Sequence, residues 1–221
     1  MRKNWFPATV LPALLLALCG MPLEAQVKPE FSIKKIEPAL VETPQFTAGA
    51  YRKQQPGAAR PLPWLEIDVN FERDEVSKED PKYTDDLTVG FYILLNNAAL
   101  NPDKQPTLLT GTTTISDVPH GKGLHTAAFV SPQTLGRFFD GKPPATAQQA
   151  VVDVGVTISN STGLVAIASS KSADVAKQGK GWWESDAGMT KVTGRVLEKS
   201  QTPFAPLAWD YFVPSKPKAA N

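Results

Sequence analysis

The sequence predicts an all-β domain, an antiparallel β-sandwich, and three observations lead to it. Seven or more short segments are either continuously apolar or alternate with a period of two, as strands do. Turn-forming residues interrupt them about every dozen positions. Helical periodicity is nearly absent, and no internal repeat or heptad pattern runs through the chain.

The first 25 residues stand apart from that pattern. Arg2 and Lys3 are followed by an apolar stretch over residues 10–18, broken only by Pro12, and Leu23-Glu24-Ala25 offers a small residue before Gln26. A charged start, a short apolar centre and a small-residue cut describe a secretory signal. The apolar stretch is shorter than the roughly 20 residues a membrane-spanning helix needs. Cleavage after Ala25 would leave 196 residues with 21 basic and 21 acidic side chains, and no membrane-spanning segment. It would also remove Cys19, the only cysteine, so the mature chain would hold neither a disulfide nor a thiolate metal site. Leu18, directly before Cys19, is larger than the residue lipoprotein signals place there, which argues against lipid attachment.

A chain of that length buries about 70 % of its unfolded surface and can build a core without staples. Zero net charge argues against nucleic acid, because phosphate binding needs a positive field that releases counterions.

Residues 26–63 carry Pro29, Pro38, Pro44, Pro56, Pro61 and Pro63 and read as a proline-rich arm or a set of edge pieces, with Phe31, Ile33 and Ile36 able to start a short strand. Residues 54–59 have the composition of a loop. The sandwich is expected over residues 64–213. In its first strand Leu65, Ile67, Val69 and Phe71 alternate with Glu66, Asp68, Asn70 and Glu72, leaving one wet face. Residues 74–86 are charged and form a connection. Residues 87–95 are almost entirely apolar, as a strand covered on both faces would be.

Threonines and β-branched residues over 107–118 suit a half-exposed strand, and 124–130 follow as another. Ser131-Pro132 resembles an N-cap with proline in the first helical position and Asp140-Gly141 a stop, so 133–139 is predicted as the one short helix. Val152, Val154, Val156 and Ile158 share a face of the next strand. Asn160-Ser161-Thr162-Gly163 turns it into a partner at 164–168, the clearest hairpin in the chain. Residues 171–181 read as a loop, 189–197 as a last strand, and 204–213 as a segment docked through Trp209, Tyr211 and Phe212. Residues 214–221 are expected to fray as a flexible tail.

Candidate sites are few. Asp117, His120 and His125 gather the two histidines and a carboxylate near a glycine-bearing turn, but a third nitrogen or sulfur ligand is missing, so no metal is expected. Asp74, Glu75, Glu79, Asp80, Asp85 and Asp86 concentrate oxygen ligands without the spacing of a calcium loop. Glu66 and Asp68 could mimic a glycosidase pair, yet strand alternation already explains them. Nucleophile-elbow, zinc-protease and phosphate-loop motifs are absent, so no catalytic residue and no cofactor is expected. Asn160-Ser161-Thr162 fits a glycosylation acceptor, though a turn explains it equally. Trp182 and Trp183, with Tyr92, could present a flat aromatic platform to a glycan or a partner. On a strand the two tryptophans would face opposite ways, so at most one can be core, and the plainer reading makes one a core anchor and the other an edge cover.

The export signal, the proline-rich arm, Leu87-Thr88-Val89-Gly90-Phe91-Tyr92-Ile93-Leu94-Leu95, the threonine-rich 109–118 and Ala127-Ala128-Phe129-Val130-Ser131-Pro132 together resemble a family of exported pilus-like proteins from Verrucomicrobia, encoded with a type IV pilus-type assembly system. That resemblance implies an immunoglobulin-like sandwich, a location in the periplasm, at the outer-membrane periphery or on the cell surface, and a pilus-associated role. It brings no catalytic residues. The chain lacks a retained apolar N-terminal helix of the kind by which type IV pilins polymerise, which favours an accessory component over a shaft subunit.

The reading is a non-enzymatic structural and interaction protein that works through sheet edges and its arm. Its partners are envelope or pilus-assembly proteins and other copies of itself, joined by arm exchange. A carbohydrate-binding module using the exposed tryptophans is the rival, and a secreted hydrolase the third reading.

Overall fold

The computed structural model describes residues 29–44, 62–185 and 188–216. The expected signal, the expected loop at 54–59 and residues 217–221 lie outside the described residues.

Two stacked sheets form the body. One has the strand order β1-β2-β7-β11, built from β1 (Phe31–Val41), β2 (Trp64–Arg73), β7 (Gly121–Val130) and β11 (Val196–Glu198). The other has the order β10-β5-β4-β8-β9, from β4 (Leu87–Leu95), β5 (Thr107–Ile115), β8 (Val151–Asn160), β9 (Gly163–Ser169) and β10 (Thr190–Thr193). A small ribbon of β3 (Tyr83–Thr84) and β6 (Val118–Pro119) closes one end. The all-β sandwich expected from period two is the fold observed. Among the described strands all pairings are antiparallel except that of β10 with β5, and an isolated parallel bridge joins His125 to Phe212.

The alternation of β2 works as its sequence demands. Leu65, Ile67, Val69 and Phe71 are fully buried between the sheets, opposite Leu87, Val89, Phe91, Ile93 and Leu95 of β4 and Val154, Val156 and Ile158 of β8. Both faces of β4 meet protein: Tyr92 and Leu94 point to an outer cluster of Leu108, Val175 and Trp183. Its nearly unbroken apolar run therefore has a physical cause, since both faces are covered along most of its length and the one exposed position holds the uncharged Thr88.

Four elements differ from expectation. The arm's described part is not separate from the sandwich: residues 31–41 form an eleven-residue edge strand that pairs with β2 of the same chain. Pro38 is tolerated there because an edge strand leaves every second N–H without a ladder partner. The expected last strand is two, β10 and β11, because Gly194 takes φ 72° between them and the chain crosses from one sheet to the other. Residues 171–181 contain a short helix, α3 (Asp174–Gln178), after α1 (Pro132–Phe138) and α2 (Ala147–Ala150). Val152 breaks its expected face, at 38 % exposure, because a register shift between Leu94 and Leu95 displaces the start of β8.

The helix at α1 is capped as its sequence requires, with Ser131 Oγ accepting from Thr134 N at 3.2 Å and Pro132 in the first turn. The start of the expected tail is tied down as well. Ser116 N donates to Pro214 O at 3.0 Å and Lys216 N to Thr114 O at 2.9 Å, while Val213 N donates to His125 O at 2.8 Å. The C-terminal segment thus bridges β7 of one sheet and β5 of the other, and together with the β10–β11 crossing it covers one flank of the sandwich.

Candidate functional site

Tyr92, Trp182 and Trp183 do come together, on the outer face of the five-stranded sheet. They do not sit on a strand. Gly179 takes a left-handed φ of 62° at the end of α3, and residues 182–184 make a 3-10 turn in which Glu184 Oε1 accepts from Gly181 N at 2.9 Å. That turn lays the Trp183 indole on the sheet between Gly155 and Gly181, where a Cβ at either glycine would overlap the ring. Trp183 is only 4 % exposed and stacks on Tyr92 with centroids 4.6 Å apart and planes 13° from parallel. Trp182 meets it edge-on at 5.2 Å, and its Nε1 donates to Ser169 Oγ at 3.4 Å.

The trio therefore divides. Trp183 is an anchor whose flat faces are already occupied, and Tyr92 gives one face to it. Trp182 is half-buried and borders a shallow polar depression lined by Asp174, Gln178, Lys180 and Glu184.

The outer face of the four-stranded sheet carries a polar network that sequence reasoning did not assemble. His125 Nδ1 lies 2.9 Å from Asp68 Oδ1 and its Nε2 lies 2.7 Å from Asn70 Nδ2. The amide nitrogen of Asn70 can only donate, so this geometry fits the imidazole tautomer with its proton on Nδ1, donated to Asp68. Tyr211 Oη donates to Asp68 Oδ2 at 2.8 Å, and its ring lies over the imidazole with centroids 4.1 Å apart. Burial, followed by the hydrogen bond to the Asp68 carboxylate, pushes the Tyr211 phenol up to about 12. A phenol held protonated in this way fastens the C-terminal segment to β2 and β7.

Beside this network burial raises the Glu66 carboxyl above its ordinary range, with Asp68 adding to the rise and Lys199 opposing it. Lys199 is itself lowered by burial, and its Nζ donates to Ala205 O at 3.1 Å and lies over the rings of Trp209 and Phe212. Phe204 stacks on Phe129 at 4.9 Å, so the docking expected of 204–213 rests on Phe204, Tyr211 and Phe212, while Trp209 stays 73 % exposed. The cross-strand register that places Asn70 opposite His125 was the missing signal, since no spacing along the chain reveals it.

The Asp117, His120 and His125 trio is not assembled. His125 is engaged by Asp68, whereas Asp117 sits at φ 53° with its N–H donated to Asp85 Oδ1 at 2.8 Å. No three side chains of metal-ligating type converge among the described residues. The acidic loop has structural employment too: Asp80 Oδ2 accepts from the N–H groups of Val76 and Ser77 at 2.7 and 2.8 Å, which lowers its carboxyl, and Asp86 pairs with Lys216. Asn160 Oδ1 accepts from Thr162 N at 2.9 Å and closes the hairpin turn.

Buried Asp153 fastens the end of β9. Its carboxylate accepts from Ser169 Oγ at 2.6 Å, Ser170 Oγ at 2.7 Å and Lys171 N at 3.1 Å. Arg73, 1 % exposed, plays a similar part at the end of β2, donating to Glu30 Oε1 at 2.8 Å, Val118 O at 2.9 Å and Pro81 O at 3.1 Å. Both sites hold backbone in place.

What fold and surfaces define, among the described residues, is a β-sandwich whose polar clusters lock loops and strand ends. Residues 22–219 match a protein-family model, which spans nearly all of the chain, and the chain belongs to that family. A crystal structure of a protein from Akkermansia muciniphila superposes with a TM-score of 0.69 at 20 % identity, over 86 % of this chain and 95 % of that one. No curated protein matches the chain.

Proposed function

We propose that this is an exported, non-enzymatic, pilus-associated interaction protein, an accessory component of the bacterial envelope or cell surface. The observation that carries the reading is the family match over residues 22–219. The sandwich shared with a protein of Akkermansia muciniphila agrees with it, as does the resemblance of the sequence to verrucomicrobial pilus-like proteins. The leader-like first 25 residues support export.

The chemistry on the surface supports contact over turnover. Asp68 and His125 satisfy one another and Tyr211, so these polar groups serve to fasten the fold. Sheet edges are what a sandwich of this kind can offer a partner, because unpaired strand backbone accepts an added strand.

The test is recovery of the tagged full chain from envelope fractions of its own organism, with mass spectrometry of what accompanies it. Specific enrichment of pilus-assembly or envelope proteins is expected. Recovery in the cytosol with the leader intact, or hydrolysis of a substrate lost on Glu66→Gln, would overturn the reading.

A further inference from the structure

The polar clusters around Asp68, Asp153 and Arg73 are closed on themselves, each making its hydrogen bonds within the chain. One groove is built the other way. It lies on the outer face of the five-stranded sheet, where the chain leaves β10 and turns at Gly194 toward β11, and its volume is about 450 Å³. That is the size of a small-molecule site.

Strand register sets its floor. Tyr92 lies opposite Thr110 on β5, and Thr110 lies beside Thr193 on β10, so three side chains share one face in a row across three strands. With about 4.8 Å between strands the row is about 10 Å long, and Thr112 follows Thr110 on the same face by the two-residue period. Glu198 and Gln201 line the groove as well.

Among the described residues no protein hydrogen bond engages Tyr92 Oη, the hydroxyls of Thr110, Thr112 and Thr193, or Gln201 Nε2. Glu198 N donates to Gln201 Oε1 at 3.1 Å, which holds that amide and leaves its NH2 as a donor. Glu198 itself is only 6 % exposed and accepts from Ser200 Oγ at 3.4 Å. Trp183, stacked at 4.6 Å, fixes the Tyr92 ring in advance, and that removes an ordering cost from binding.

The donor set decides the ligand class. No lysine, arginine or histidine lines the groove, so a phosphate or carboxylate would find no counter-charge. Four hydroxyls and a primary amide around one aromatic ring match a molecule with many hydroxyls and an apolar C–H face, which is the chemistry of a neutral pyranose. We propose that this groove binds a neutral saccharide of disaccharide length, with Tyr92 against a sugar ring and Thr110, Thr112, Thr193 and Gln201 on its hydroxyls. The inference goes beyond the pilus-associated reading and does not rest on it.

The test is an array of neutral oligosaccharides built from hexoses and N-acetylhexosamines, probed with the full chain, followed by titration of each hit while the threonine methyl groups are watched by NMR. Saturable binding is expected, with shifts at Thr110, Thr112 and Thr193. Thr110→Val combined with Thr112→Val keeps the branched shape, removes two hydroxyls and is expected to weaken binding about tenfold or more. Gln201→Ala, at an exposed position, is expected to weaken it too, and melting temperatures separate lost contact from lost fold. Lys180→Ala, in the neighbouring depression that Trp182 borders, is expected to change nothing. Binding that survives the threonine and glutamine variants and disappears in Trp182→Ala would put the sugar in that depression and overturn the proposal. So would the lack of saturable binding to any arrayed saccharide up to about 10 mM. Neither result touches the pilus-associated reading, which recovery from envelope fractions tests separately.

Discussion

Gly155→Ala tests whether the Trp183 anchor is as closely fitted as the geometry states. A methyl at position 155 would fall inside the indole ring, and the ring cannot withdraw freely, because Tyr92 stacks on one side and Gly181 closes the other. Forcing one carbon into a filled site costs about 1–3 kcal/mol. For a chain of this size each kcal/mol lowers the melting temperature by about 2–4 °C, so a fall of about 2–12 °C is expected. Trp183→Ala, which empties the site, is expected to cost about 3–5 kcal/mol. The decisive measurement is the double variant in denaturant unfolding. With the indole gone the added methyl has nothing to strike, so Gly155→Ala should become nearly neutral in the Trp183→Ala background. Equal costs in the two backgrounds would refute the close approach as the reason for glycine there.

Other predictions concern the polar clusters. Arg73→Ala leaves Glu30 and three backbone carbonyls without their donor and is expected to destabilise by about 3–5 kcal/mol in urea unfolding. Arg73→Lys should recover little of it, because a single ammonium cannot span the fork. The folded Tyr211 phenol stands near 12, above its unfolded value near 10, so its contribution to stability is complete below pH 10 and is lost as the pH rises toward 12. Ultraviolet titration should therefore show a phenolate component near pH 12 that Tyr211→Phe removes. The same variant is expected to cost about 1 kcal/mol at neutral pH. Glu66 is raised in the fold, so its contribution is complete below the unfolded value near 4.5 and is lost as the pH climbs above it. Glu66→Gln is thus expected to raise the melting temperature at pH 7 and leave it unchanged at pH 4.

The strands that carry the core were legible because their burial is written in local periodicity. β2 alternates since one face enters the core, and β4 does not since both of its faces are largely covered, with only Thr88 exposed. Edges were less legible. For β1 the proline-rich composition left an arm and edge pieces equally open, and only its eleven-residue pairing with β2 decides for an edge strand, which accommodates proline where it needs no donor. The split between β10 and β11 hangs on one glycine with positive φ, and nothing in a threonine- and valine-rich stretch announces a change of sheet. For the two tryptophans the division into one buried and one half-buried ring was legible, but the strand was not the cause: a 3-10 turn places them edge to face where a strand would have opposed them. The Asp68, His125 and Tyr211 network joins residues up to 143 positions apart and depends on strand register, which one-dimensional spacing does not encode.

The claim on which the functional account rests is that this sandwich works by protein contact. Placing a photo-crosslinking amino acid at Leu164 on β9, and separately at Leu100 on the connection between β4 and β5, and irradiating intact cells of the source organism tests it directly. Both side chains are about half exposed in the isolated fold, so intrinsic reactivity is matched. Protein adducts formed from position 164 and in clear excess over position 100 are the predicted result. Equal labelling from the two positions, or no adduct from either, would contradict it.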